Sequence, residues 1–407
     1  MANSMSDPLK LVKLERDSIS NLPDSLLHHI LTFLQTREAV ATSLLSKRWR
    51  PLWLSMPTFD FDCRNFHSLD SFTQFVDAVL SMTDSKTTIE KFRLRCESCY
   101  QWVREGVKYY NMLPNTKINI WINTALNRRV DHLELRFSSW DKFIDLPPRT
   151  FNCSTIRVLK LHGVKVDNPY SINLPLLKVM HMLEVEISNF EFLTNLLSSC
   201  ALLEELVLDF FINDEDDVDV DDDVPLLNVD KLEHLVSANI PSHLFTWKAF
   251  TNVTFLSLMT YTASGNDYFP RFDHLTHLEF ECLYDEDLNW IVEVLPNCPK
   301  LEILDIDEIE VNPKRLGRIM EPIVKVPQCI SSQLKEFILG AYDGSECEFE
   351  FVRFIMKNAR VLRTISIFSC SSEDKKYDQM LKRLSSCPRG SENCRLLFDE
   401  VSLDASV

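Results

Sequence analysis

The chain has 407 residues but only 7 glycines, and none falls into G-x-G-x-x-G or G-x-x-x-x-G-K-[ST], the loops whose backbone N–H groups cradle phosphates, so nucleotide-loop enzymes of both kinds are excluded. A formal charge of −17, from 43 Lys+Arg against 60 Asp+Glu, argues against non-specific attraction to nucleic acid or to an anionic membrane. Residues 1–60 carry 7 basic and 6 acidic side chains and residues 326–407 carry 11 and 12, so the acidity belongs to residues 61–325.

In chain order, residues 1–16 are expected to be disordered, and Met1 to Pro8 contains no apolar stretch of the kind that opens a secretory signal. No segment approaches the ~18 uninterrupted apolar residues of a membrane span. The 12 cysteines are therefore expected to be reduced thiols, and the protein to be cytoplasmic or nuclear. From Asp17 a helical module begins. Pro23 suits the first turn of a helix and Asp24 its positive end. Leu26, Leu27, Ile30, Leu31, Phe33 and Leu34 then span an apolar arc of about 160°, wider than the ~100° that a single core needs. Thr36 is expected to cap a second helix over 37–43, and Ser46 to open a third turn-and-helix carrying Lys47, Arg48, Trp49, Arg50 and Trp53. Pro51 lacks an N–H donor and is expected to end or kink that helix after Arg50. A unit of 37 residues, Asp17 to Trp53, is below the ~40 at which small domains usually need outside help. Its surplus apolar surface reads as a docking module.

Beyond it a phrase of six residues recurs, apolar-x-x-apolar-x-apolar. It starts at Val130, Ile156, Leu177, Leu203, Leu232, Val253, Leu275, Leu301, Leu334 and Leu362, with an earlier copy from Ile89, and only Ser237 breaks the pattern. Spacings mostly within or near ~20–29 residues resemble leucine-rich repeats of irregular plant type. In a short strand the fourth and sixth positions face the core, and the third and fifth face out. The helical spacing of Trp121, Ile122, Ala125 and Leu126, and of Phe190, Phe192, Leu193, Leu196 and Leu197, places helices on the convex side. Stacked neighbours supply the core that one repeat lacks.

Third-position residues His132, Val158, Val179, Glu205, His234, Phe255, His277 and Ile303 should then line a concave sheet with fifth-position Glu134, Lys160, His181, Val207, Glu279 and Asp305. Apolar residues among histidines and carboxylates suit a protein target better than a polyanion. No basic cluster stands on these positions to hold an anionic small molecule. Cys153, Cys200 and Cys298 each precede a phrase by three residues, which marks a packing position. Cys96-x-x-Cys99 lacks the second ligand pair of a zinc site, and His274 and His277 lack an H-E-x-x-H helix or a completing carboxylate set, so no metal is expected. Asp214 to Asp223 places 8 carboxylates in ten residues. Without the glycine and alternation of a calcium loop, residues 213–223 read as a solvated acidic loop.

Two sets of residues carry a wider resemblance. Leu22-Pro23-Asp24-x-Leu26-Leu27-x-x-Ile30-Leu31-x-Phe33-Leu34, followed by Ala39-Val40-x-Thr42-Ser43-x-Leu45-Ser46-Lys47-Arg48-Trp49-Arg50-x-Leu52-Trp53, resembles an F-box of the plant type. Gln35 stands where that pattern usually has proline, a change expected to alter loop stiffness only. Val326-Pro327-Gln-Cys329, Leu334-Lys335, Tyr342-x-Gly344, Lys357-Asn358-Ala359 and Ser386-Cys387-Pro388-Arg389-Gly390-Ser391-x-x-Cys394 resemble the FBD domain. The chain is thus similar to the plant F-box/FBD/leucine-rich-repeat family. The expected fold is α/β, with a three-helix F-box (17–60), a solenoid of short parallel strands and convex helices (61–325), and an FBD domain continuing the array (326–407).

The resemblance implies the substrate-recognition subunit of a Skp-cullin-F-box ubiquitin ligase, without cofactor, metal or catalytic residue of its own. It carries adaptor contact onto Leu22, Pro23, Leu26, Leu27, Ile30, Leu31, Leu34, Leu45 and Trp49, although Leu27, Leu31 and Trp49 could instead hold the three helices together. The partners implied are a Skp-type adaptor, a cullin through it, and a protein target, with no nucleic acid and no membrane. The acidity of the repeats favours a target with a neutral or basic face. Alternatives are an F-box scaffold or ligand receptor without ubiquitination output and, from a different class, a thiol hydrolase using a cysteine and a histidine.

Overall fold

The computed structural model describes residues 19, 22–96, 113–137, 143–167, 169, 171–212, 227–229, 232–241, 244–259, 269–284, 287–310, 325–370 and 374–400. The acidic stretch 213–223, Cys99 and the N-terminal residues 1–16 lie outside them.

Among the described residues sixteen strands form one open parallel sheet, thirteen of them along a single path. Along that path the third position of every phrase falls in one line across the sheet: Thr58, Lys91, His132, Val158, Val179, Glu205, Ser237, Phe255, His277, Ile303, Glu336, Thr364 and Arg395. Fourth and sixth positions are buried throughout the repeats, as in Leu133 with Leu135, Met180 with Met182, and Leu278 with Phe280. The alternation is that of a strand packed on one face. Stacking repeats merges these pairs into one core that runs from Leu27 to Phe398.

Three strands depart from the sequence reading. The array opens one strand earlier, at Thr58–Asp62, where Met56, Phe59 and Phe61 occupy the apolar positions and are all buried. It closes one strand later, at Arg395–Glu400. The third departure is a register correction. The strand after Ile212 is Ser237–Pro241, so its phrase starts at Leu235 and not at Leu232. His234 therefore sits in an exposed turn before the strand, and Ser237 takes the concave third position assigned to it. The one broken phrase marked this slip: moved by three residues, it places Ala238 and Ile240 in the core, both fully buried.

The convex side is built as its spacing predicts. The helix Asn115–Asn127 buries Ile118, Trp121, Ile122, Ala125 and Leu126, and Phe190–Ser198 buries Phe192, Leu193, Leu196 and Leu197 behind an Asn189 side chain that accepts from the Phe192 N–H at 2.9 Å. Cys200 and Cys298 close the turn between helix and strand. The Leu203 and Leu301 N–H groups donate to their carbonyls at 3.1 and 3.2 Å, and both side chains are fully buried. Cys153 is half-buried, its Sγ 3.3 Å from Thr155 Oγ1. Glycine is used where backbones crowd. A Cβ at Gly340 would lie 2.2 Å from the Asp307 carbonyl oxygen of the neighbouring strand, where the register breaks between Leu339 and Tyr342.

The N-terminal module is not free-standing. Its second helix, Thr36–Ala41, packs on the edge of the first strand, whose outward N–H groups would otherwise be unpaired, and its first, Asp24–Leu31, packs on the 3₁₀ helix Leu52–Ser55. Gln35, not Thr36, caps the second helix. Its backbone has the φ of −63° that a proline would impose, but its N–H donates to Glu38 Oε2 at 3.2 Å, and its side-chain oxygen accepts from Asn65 Nδ2. The departure from proline therefore adds a capping bond and a tie to the solenoid. The Thr36 hydroxyl is freed for the strand and accepts the Asp60 N–H at 2.7 Å. Thr36→Val keeps the shape but orphans that donor, so chemical denaturation should show a loss of about 1–2 kcal/mol; no loss would mean the hydroxyl does not cap the strand edge.

The third element is a turn over 47–51 followed by a 3₁₀ helix, Leu52–Ser55, that begins directly after Pro51. Pro51 keeps a helical backbone inside that turn, φ −82° and ψ −16°, and does not end it after Arg50, and Trp53 is buried beyond it.

Candidate functional site

Two surfaces carry the residues singled out by sequence. The first is the F-box face. The wide apolar arc of Asp24–Leu31 and its continuation divides into two rows at helical spacing. Leu27 and Leu31 point inward and are fully buried, with Ala39, Trp49, Leu52 and Trp53 around them. Leu26, Ile30 and Phe33 point outward, and Phe33 is 76 % exposed. Leu44 and Leu45, at the end of the second helix, are 88 % and 68 % exposed, and Pro23 is exposed at the helix start. Leu22 and Leu34 are partly buried against the core.

Of the residues to which the resemblance carries adaptor contact, Leu27, Leu31 and Trp49 have their side chains buried in the internal core. Pro23, Leu26, Ile30 and Leu45 remain available, and Phe33 and Leu44 join them. The signal for Phe33 was its spacing of three from Ile30, which puts it on the Leu26 row. An Arg48 guanidinium that donates to Asp24 Oδ1 at 2.6 Å and to the Leu22 carbonyl holds the start of the first helix against the turn. His28 Nε2, 2.9 Å from Ser55 Oγ, ties its middle to the 3₁₀ helix.

The second surface is the concave face of the sheet. Of the residues assigned to it, all but His234 stand on the predicted face, half-buried between neighbouring strands except for the buried Glu134. Their electrostatics change along the array. At the first strands the arginines are answered across the ladder. Arg93 donates to Asp60 at 3.0 Å and to Glu134 at 2.7 Å, Arg95 pairs with Asp60 at 3.0 Å, and His132 lies 3.5 Å from Glu134. Arg93 and His132 hold the Glu134 carboxyl down at about 2 against the cost of burial. A basic strand, Lys91, Arg93 and Arg95, thus does exist on the concave side, one strand before the positions inspected by sequence, and Asp60, Asp62 and Glu134 neutralise it. Further along, His181 Nε2 meets Glu205 Oε1 at 2.6 Å.

In the later repeats the balance fails. Glu279 and Asp305 are register partners on adjacent strands, with Glu281 and Asp307 beyond them. Burial and these neighbouring carboxylates push Glu279 up to about 7 and Asp305 up to about 6. Burial lowers His277, which packs edge-on against Phe255 with ring centroids 4.8 Å apart.

Three of the buried thiols are poor candidates for nucleophiles. Burial pushes Cys200 and Cys329 up to about 11 and Cys298 higher still, which removes the thiolate that such chemistry uses. No helix among the described residues is long and apolar enough to cross a membrane.

Comparison with known proteins matches three family models in the order of the structural units. They are the F-box domain over residues 19–61, the leucine-rich repeats of the FBD-associated F-box protein At5g56370 type over 118–220, and FBD over 321–367. Full-length relatives come from Arabidopsis thaliana. The F-box/FBD/LRR-repeat protein At4g26340 is 30 % identical over 94 % of this chain and 100 % of its own length. The F-box/FBD/LRR-repeat protein At5g56420 is 29 % identical over 94 % and 99 %. The F-box/LRR-repeat protein 13 is 25 % identical over 94 % and 96 %.

Proposed function

Because the chain belongs to the F-box/FBD/leucine-rich-repeat family, we propose that it is the target-binding subunit of a Skp-cullin-F-box ubiquitin ligase. The observation that carries this reading is the divided apolar arc. A module of fewer than 40 residues buries Leu27 and Leu31 yet leaves Leu26, Ile30, Phe33, Leu44 and Leu45 open to solvent, a large apolar patch that a partner must cover. The occupant proposed is a Skp-type adaptor, which brings a cullin with it.

The half-buried line of the concave sheet is proposed to hold the protein target. Binding there raises the effective concentration of target lysines at the charged ubiquitin carrier, and proximity alone supplies the acceleration. No nucleophile in this chain takes part.

Co-expressed with a plant Skp-type adaptor, the full-length chain should elute with it as one stoichiometric complex in size-exclusion chromatography. Elution of the two proteins apart would sink the reading. For the concave face, Phe255→Asp places a charge on the target surface without touching the F-box. Proteins that co-purify with the wild-type chain and gain ubiquitin in a reconstituted reaction should disappear with the variant while the adaptor stays. Co-purification that survives would remove the concave face from target binding, and bound proteins that never gain ubiquitin would make the chain a scaffold.

A further inference from the structure

We propose that the carboxylate-lined stretch of the concave face around Glu279 and Asp305 is a receptor for an arginine side chain presented by the protein target. The inference deepens the reading of the concave face as the target surface and rests on it.

The stretch spans four adjacent strands in register. Asn239, Ser257, Glu279 and Asp305 form the fifth-position row, and Ser237, Phe255, His277 and Ile303 the third-position row beside it. Parallel strands lie about 4.8 Å apart, and Glu279 and Asp305 leave adjacent strands as register partners on the same face. Among the described residues no lysine or arginine forms an ion pair with Glu279, Glu281, Asp305 or Asp307, whereas the carboxylates Asp60 and Glu134 at the other end of the same face are both paired with Arg93.

A second, independent observation comes from uncharged groups. Ser257 is fully buried, and its Oγ, close beside Glu279, completes no hydrogen bond. Asn239 Oδ1, His277 Nε2 and Asp305 Oδ1 are likewise buried without a partner. Asn239 cannot turn its amide to help, because its Nδ2 already donates to Glu281 Oε1 at 2.7 Å. An unmade hydrogen bond at a buried polar atom is costly; the Asn239 amide oxygen and the Asp305 carboxylate oxygen can only accept, and on neighbouring strands facing one way they lack donors, whereas the Ser257 hydroxyl and the His277 ring nitrogen can serve as donor or acceptor.

The chemistry of the missing group follows. The deficit is of donors and of positive charge together. A metal ion is not favoured, since among the described residues no three His, Cys, Asp or Glu side chains are grouped so as to hold one. A guanidinium offers five N–H donors in a planar fork that can engage two carboxylates at once, keeps its charge on desolvation, and stacks on an aromatic face. Phe255 and Ile303 flank the acceptors on the same sheet and would cover the apolar stem of such a side chain. A lysine ammonium has three donors and holds its hydration more strongly, so it fits less well.

The experiment uses the full-length chain and a randomised nonapeptide library with no fixed residue. The wild-type chain should select peptides with arginine at one position and an apolar residue close to it. A labelled peptide of the selected sequence should bind Glu279→Gln/Asp305→Asn at least ten-fold more weakly, and should bind Lys248→Ala/Lys357→Ala, exposed on the helical elements Trp247–Phe250 and Glu346–Asn358, as well as wild type. The isosteric double variant removes only charge and so retains the fold, which adaptor binding checks. If the selected peptides lack arginine but are lost on Phe255→Asp, the arginine site is overturned and the concave target surface stands. If no peptide is selected, or if the selected peptides are indifferent to both changes, the concave reading falls with it.

Discussion

Leu26→Asp/Ile30→Asp is expected to release the Skp-type adaptor, with at least a 100-fold loss of affinity, while the thermal transition of the chain stays where it was. The two residues are on the outward row of the first helix, so their replacement by charge disturbs no internal packing. At a desolvated interface the same charges are excluded, and anchors of this kind commonly carry 2 kcal/mol or more each. Leu27→Ala and Leu31→Ala, one position along the helix, should behave in the opposite way. Both side chains are fully buried, and truncation should cost about 2–5 kcal/mol of local stability through lost transfer energy and the cavity left behind. Because helix and strand are joined through Thr36 and Asp60, that loss should appear as early proteolytic cleavage of the N-terminal module and not as unfolding of the distant repeats. A pull-down in which the outward pair still binds, with the inward pair folded and non-binding, would reverse the assignment of the rows.

That division of one apolar arc shows where sequence reasoning stops. Leu26, Leu27, Ile30, Leu31, Phe33 and Leu34 are equally apolar, and their helical spacing declared a face too wide for one core. Which half is inward depends on the position of Trp49, Trp53 and the first strand, all set by tertiary packing. The repeats were legible for the opposite reason. A strand in a solenoid is held by a two-residue period that each phrase carries locally, so nine of the ten phrases, with the earlier copy from Ile89, predicted the line of third positions without any knowledge of neighbours.

The exceptions are physical too. The first strand was hidden because Met56, Phe59 and Phe61 fall next to the F-box, where an apolar residue has another explanation. The last was hidden because Asn393 occupies the place of the leading apolar residue. At Leu232 a phrase with apolar residues in two of its three required places stands three residues before the true one, Leu235-x-x-Ala238-x-Ile240, and Ser237 in its sixth place betrays it. The ion pairs of the concave face were beyond reach, since Arg93 meets Glu134 across 41 residues of chain and only register brings them together.

The acidic stretch of the concave face should make the protein less stable as pH rises, in a window that its carboxyls define. Folding raises Glu279 from 4.5 to about 7 and Asp305 from 3.8 to about 6. The folded chain therefore binds more protons than the unfolded chain between roughly pH 4 and pH 8, and the protonated pair is fully compatible with burial only at the acid end. Above about pH 8 both groups are charged, facing Glu281, Asp307 and Glu336 with the neutral His277 beside them, and their repulsion is carried entirely by the folded state.

At about 1.4 kcal/mol per pH unit the two displacements would sum to about 6 kcal/mol. Partial solvent exposure, and the relief that protonating one group gives the other, reduce this to about 2–3 kcal/mol. Glu279→Gln/Asp305→Asn removes the charges without changing shape. The variant should melt at nearly the wild-type temperature at pH 4.5 and about 3–5 °C above it at pH 8, with the gap opening as the wild-type carboxyls ionise. A gap independent of pH would mean that the substitutions act through packing, and one that widens toward acid would mean that the carboxylates are already paired. A wild-type chain that closes the gap at pH 8 when the arginine peptide is added, with no such response from the variant, would tie the bare carboxylates to the ligand they are arranged to receive.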